Sequence, residues 1–161
     1  MRWEEFEHAC PELAQLARER FSSDELVLVG SIRSDGSPRI SPVEPDLVAG
    51  ELMLGMMWQS RKAHDLLRDP RLVVHSLPSD RLNPGGDLKL YAKAVEVSDP
   101  ARRRAHADAT FARIGWRPAE PYHCFSVDIS EAAYVRFEET IWTVWRWRPE
   151  TGLRKETKPN E

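Results

Sequence analysis

The stretch LVLVGSIRSDGSPRISPVEPDLVAGELMLGMMWQSRKAHDLLRDPRLVVHSL, Leu26 to Leu77, decides the fold. Leu26 to Arg33 is short and β-branched, and Ser34-Asp35-Gly36-Ser37 supplies the turn chemistry that reverses the chain into Pro38 to Glu44. A second turn at Ala49-Gly50 leads into Glu51 to Met57. Three strands in such quick succession leave no room for crossover helices, so the sheet starts antiparallel. Gln59 to Arg68 then sets Ala63, Leu66 and Leu67 on one side, with Pro70 just beyond, and predicts a short helix. Arg71 to Leu77 reads as a buried strand.

Upstream, Trp3, Phe6, Cys10, Leu13, Leu16 and Ala17 recur at the three-and-four spacing of an amphipathic helix, and Pro11 suits the first turn of a second one. This is one broken helical layer. Downstream, Pro78 to Gly86 reads as a loop, Asp87 to Val97 as a long strand, and Ala101 to Arg113 as a helix opened by Asp99-Pro100. Tyr122 to Ile129, Ala132 to Phe137 and Ile141 to Arg148 are three further strand candidates. The pattern predicts a mainly β, α+β fold, an antiparallel barrel with two or three helices packed outside. One domain is expected over 1–161, with a helical layer at 3–20, a barrel at about 26–148 and a polar, mobile tail at 151–161.

Hydrophobic residues make up 41% of the 161 and charged residues 30%, a balance that permits a globular core. A formal charge of -3 argues against general nucleic-acid binding, which depends on neutralising phosphates. No apolar run is long enough to span a bilayer, and MRWEEFEHAC is too acidic for a signal peptide, so no membrane association and a cytoplasmic location are expected. Cys10 and Cys124 read as free thiols. His64, His75, His106 and His123 fall on different elements with no ligand spacing, so no metal site is expected. His123 and Cys124 are adjacent strand residues and point to opposite faces, which argues against a thiol and base pair. No catalytic residue is identified.

Ser60-Arg61-Lys62 follows a strand and opens a helix, where free N–H groups and the helix dipole already favour an anion. Arg adds a planar fork, Lys a point charge and Ser a hydroxyl, which together make a phosphate cradle. The same residues also fit the solvated basic end of a helix. Trp142, Trp145 and Trp147 crowd one strand and suit either ring stacking or a core or dimer interface. Met53, Met56 and Met57 could pad a ring or simply fill a core.

The blocks Asp35-Gly36-Ser37-Pro38-Arg39-Ile40-Ser41-Pro42-Val43, Leu52-Met53-Leu54-Gly55, Ser60-Arg61-Lys62-Ala63 and Asp69-Pro70-Arg71-Leu72-Val73 resemble, in order and spacing, those of the pyridoxamine 5'-phosphate oxidase-like FMN-binding split-barrel family. The resemblance implies a Greek-key split β-barrel whose Arg61 and Lys62, with Ser60, bind the flavin phosphate. It further implies that Arg39 reaches that phosphate, that Ile40, Ser41, Pro42 and Val43 run along the isoalloxazine, and that Gly55 and Met56 line the cofactor. A glycine at Gly55 would let a flat ring approach the backbone. Departures accompany it: Glu44 stands where pyridoxamine oxidases have Lys, Asp87 is nearest to a ring-contacting Gln, and the Arg-Leu-His-x-Arg pattern for pyridoxal phosphate is missing from Trp142 to Lys158. Vitamin B6 oxidation is therefore not expected. The implied protein is an FMN-dependent oxidoreductase acting on a small organic substrate from a cleft built by a homodimer. A deazaflavin coenzyme in the same groove, or a non-catalytic flavin- or haem-binding role, remain alternatives.

Overall fold

The computed structural model describes residues 1–78 and 85–159. The loop expected at Pro78 to Gly86 has its residues 79–84 outside the described set, as are Asn160 and Glu161. The N-terminal layer is two helices, α1 (Trp3–Ala9) and α2 (Pro11–Asp24), broken at Cys10. Pro11 occupies the first turn of α2, where the N–H it lacks would have had no helical partner.

The first strands are β1 (Val27–Ile32), β2 (Pro38–Val43), β3 (Pro45–Val48) and β4 (Glu51–Met57). β3 has no counterpart in the sequence reading, which assigns no element between Glu44 and the turn at Ala49-Gly50. Next come α3 (Arg61–Arg68), β5 (Arg71–Ser76), β6 (Asp87–Glu96) and α4 (Pro100–Ile114). Asp99 caps α4 by accepting from the Arg102 backbone N–H at 2.8 Å, and Gly115 ends it at φ 69°, a conformation that suits glycine.

Two corrections concern the C-terminal third. The strands expected at Tyr122 to Ile129 and Ala132 to Phe137 are one strand, β7 (Tyr122–Phe137). Its pairing with β6 steps from Ile129↔Ala92 to Glu131↔Tyr91, leaving Ser130 as the extra residue of a bulge. Bulges bend a strand without ending it. The bend lets the first half of β7 pair with β4 and the second half with β8 (Ile141–Arg148). The tail expected to be mobile from Thr151 instead forms β9 (Gly152–Pro159), paired with β8 from Arg148↔Gly152 to Ile141↔Pro159. Lys155 and Lys158 lie over the rings of Trp145 and Trp142, at 4.0 and 5.4 Å from their centroids, so the tail's polar composition serves to cover aromatic surface.

The sheet runs β2-β1-β5-β6-β7-β4-β3, all antiparallel. Its two ends, β2 and β3, are separated in the chain only by Glu44, so the sheet curls to bring its edges near each other without pairing them: a split barrel with, among the described residues, four helices around it. Leu52, Leu54, Leu88, Leu90, Phe125, Val127 and Ile129 fill the interior, while α1 closes against Trp147 through Phe6 at 5.1 Å. No helix among the described residues is long and apolar enough to cross a membrane.

Candidate functional site

The alternation that buries Leu52, Leu54 and Met56 inside the barrel turns Met53 and Gly55 outward, toward α4. Between this wall and α4 lies a cavity of about 520 Å³, bounded by the β2–β3 corner, the end of β4, the start of α3 and the segment 116–121. Its lining is mostly apolar, a size and character suited to a small-molecule ligand.

Of the ten residues expected to hold a cofactor, Pro42, Val43, Gly55, Met56 and Lys62 border this cavity. Ser60 precedes α3 as its N-cap, and Arg61 is its first residue. The Ser60 hydroxyl is buried without a hydrogen-bond partner. Lys62 donates to the Pro42 carbonyl at 3.1 Å, and burial pushes its pKa below the ordinary lysine value. Neither Arg61 nor Lys62 has a carboxylate partner among the described residues. An orphaned donor beside an unneutralised cation fits an anion.

Arg39, Ile40, Ser41, Ser60 and Arg61 do not border the cavity. The Arg39 Nε donates to Asp65 Oδ2 at 2.5 Å, and Asp65 also accepts from Ser31 and Arg68. Burial alone would raise the Asp65 carboxyl, but the Arg39 and Arg68 guanidiniums outweigh it and hold the pKa low. Ile40 is 71% exposed on the outer face of β2.

Gly55 has a role that sequence reasoning assigned elsewhere. A Cβ there would lie 2.7 Å from Cε1 of His106, so the missing side chain accommodates the protein's own imidazole. His106, on α4, is buried between Asp46 and Tyr122: its Nε2 is 3.4 Å from Asp46 Oδ2 and its Nδ1 is 3.2 Å from the Tyr122 hydroxyl. Asp46 also accepts from Thr110 Oγ1 at 2.9 Å and Arg113 Nε at 3.0 Å. Burial pushes the His106 pKa down, Asp46 opposes that, and Arg113 and Arg103 reinforce it. Burial raises the Tyr122 phenol well above its ordinary value. The neutral imidazole that results packs between the Asp46 carboxylate and the Tyr122 phenol, whose hydroxyl donates to the Arg103 carbonyl at 3.0 Å. Thr110 and Arg113, donating to Asp46, tie α4 to β3 at this wall of the cavity.

Sequence reading missed Asp46, His106, Thr110, Tyr122, Trp58 and Trp116, all of which border the cavity. They come from β3, the turn after β4, α4, the connection after it and the start of β7, and no local pattern joins them. Trp58 alone carried a signal, standing two residues before Ser60. Among the described residues no group of three or more His, Cys, Asp or Glu is placed to hold a metal.

No protein-family model and no curated protein matches the chain. Solved structures do. PhzG from Burkholderia lata, in complex with tetrahydrophenazine-1-carboxylic acid, superposes with a TM-score of 0.65 at 11% identity over 94% of this chain and 93% of its own. A pyridoxamine 5'-phosphate oxidase-related, FMN-binding protein from Nostoc punctiforme gives 0.63 at 12% identity over 94% of this chain and 96% of its own. The fold is the split barrel that these structures share. A haem-binding protein from Mycobacterium smegmatis shares the split barrel with a TM-score of 0.64 at 20% identity, over 92% of this chain. This chain spans 58% of that protein's length. At these identities the likeness is one of fold, and what the barrel holds has to be argued from its own side chains.

Proposed function

We propose that this single-domain chain binds FMN and acts as an oxidoreductase on a small organic substrate. The observation that carries the reading is the start of α3, where the orphaned Ser60 hydroxyl and the carboxylate-free Arg61 adjoin Lys62, which borders an apolar cavity. Ser60, Arg61 and Lys62 hold the phosphate, and the ring lies along Pro42, Val43, Gly55 and Met56. Arg39, engaged by Asp65, supports the grip through its remaining N–H donors, with Ile40 and Ser41 shaping the approach to it. The bound isoalloxazine supplies two-electron transfer. The protein contributes a cation at the phosphate, an apolar wall that excludes water, and the Asp46 carboxylate, held by Thr110 and Arg113, that fixes α4 against the site.

Met57 and Ile40 are 77% and 71% exposed, and a second copy of the chain covers them in a homodimer. Mass spectrometry of the small molecule released on denaturation separates FMN from a deazaflavin coenzyme and from haem.

The test of the grip is the double variant Arg61→Ala with Lys62→Ala, titrated with FMN and with riboflavin. Two charge-assisted hydrogen bonds at roughly 1.5–3 kcal/mol each correspond to an FMN affinity loss on the order of a hundredfold or more, with riboflavin little changed. Equal loss of both ligands, or of neither, would reject the phosphate assignment.

A further inference from the structure

The turn after β4 carries a tryptophan that the phosphate grip does not use. Ser60 N–H donates to the Met57 carbonyl at 3.1 Å, Gln59 within that turn has φ 60°, and its Oε1 lies 2.7 Å from His64 Nε2. The constrained turn lays the Trp58 ring on His123 at 4.6 Å between centroids, with planes 15° apart. His123 in turn lies 6.2 Å from Phe125 with planes 14° apart. Three near-parallel rings form a ladder that rises from the barrel interior and stops at Trp58.

His123 is only 4% exposed and neither ring nitrogen has a hydrogen-bond partner, so a neutral imidazole acts here as a rung of the ladder. Burial, the largest influence on it, favours the neutral form. Trp58, by contrast, is 51% exposed and borders the cavity. One face is propped from behind and the other is open. Trp116, 57% exposed, borders the same cavity from the segment after α4. A rigidly backed indole face in an apolar cavity attracts flat rings by offset stacking. Lys62 borders the cavity too and supplies the only charge there without an opposite partner among the described residues.

We propose that the open face of Trp58 is a stacking platform that adds a flat aromatic ring as the fourth rung above Phe125, His123 and Trp58, the ligand bearing an anionic group for Lys62. The anionic half rests on the flavin reading above, whereas the stacking half stands on the ladder alone. The ring belongs either to the isoalloxazine or to a flat aromatic substrate.

The experiment uses the full chain freed of small molecules. It is titrated with riboflavin and FMN by flavin fluorescence, and after FMN loading with 2-naphthoate, for the wild type, Trp58→Ala, Trp58→Phe and Trp58→Leu. If the ring is the cofactor's, Trp58→Ala weakens riboflavin and FMN by the same factor, about tenfold, and Trp58→Phe restores most of it. If it is the substrate's, both flavins bind as in the wild type and naphthoate is lost by a similar factor. Trp58→Leu still covers His123 but has no π-face, so it must bind like Trp58→Ala, which separates stacking from support of the fold. Unchanged binding in both arms, wild-type binding in Trp58→Leu, or no wild-type binding of any of the three ligands would overturn the proposal. So would loss of the dimer by light scattering with ring affinities unchanged, because the face would then belong to a second copy. FMN binding no tighter than riboflavin in the wild type would sink the phosphate grip and leave the stacking result standing.

Discussion

Gly55→Ala isolates the contact between β4 and α4. The added methyl would meet His106 Cε1 at 2.7 Å and Nε2 at 3.2 Å, well inside van der Waals contact. The ring is held by its neighbours on α4, β3 and β7. It is stacked on Tyr122 at 5.7 Å, with Nδ1 on the Tyr122 hydroxyl and Nε2 facing Asp46. Overpacking costs roughly 1–3 kcal/mol and a strained hydrogen bond adds about 1 kcal/mol. Against this, alanine's smaller unfolded-state entropy returns roughly 0.4–1 kcal/mol. The net destabilisation is about 1–3 kcal/mol, which for a chain of this size lowers the melting temperature by roughly 3–10 °C. Thermal unfolding followed by circular dichroism gives the value. His106→Ala and the double variant complete a cycle in which the double change should cost at least about 1 kcal/mol less than the sum of the singles. A wild-type melting temperature for Gly55→Ala, or simple additivity in the cycle, would refute the assignment of that space to His106. Gly55→Val should destabilise more than alanine does.

Stability should also fall as pH drops from 7 to 5. Burial lowers the His106 and His123 pKa values in the folded state, so the unfolded chain takes up protons first. Their stabilising contribution is intact above the ordinary histidine value of about 6.5 and is lost as pH falls below it. Urea midpoints should decline over that window and decline less in His106→Gln; a rising midpoint would contradict the sign. Both cysteines should ignore a thiol reagent at pH 8 until denaturant is added, since burial raises Cys10 and pushes Cys124 up to about 11. Fast modification of the folded chain would show that a thiol is accessible.

The barrel was legible because its evidence is local. The Asp35-Gly36 turn, the alternation of Asp87 to Val97 and the Asp99-Pro100 start of α4 each carry their own signal. What escaped depends on distant partners. Ser130-Glu131 looks like a break until Tyr91 and Ala92 are placed opposite, when it becomes a bulge. Thr151 onward looks like a solvated tail until the Trp142 and Trp145 rings give its lysines something to cover. The candidate site divides the same way. Ser60 to Lys62 is contiguous and announces itself, whereas Asp46, His106 and Tyr122 lie far apart in the chain and meet only when α4 docks on β3 and β7.

The edges of the sheet carry a consequence for how copies of this chain can meet. Among the described residues β2, β3 and β9 each pair on one side only. β2 carries Pro38 and Pro42, β3 opens on Pro45, and β9 holds Lys155, Lys158 and Pro159. Proline withholds a ladder donor and lysine resists a like-charged neighbour, so every edge is a poor template for strand addition. Runaway fibrillar growth is thereby discouraged even for a sheet of nine strands. Association between copies is left to contacts between side-chain faces, where a finite, symmetric assembly can close on itself.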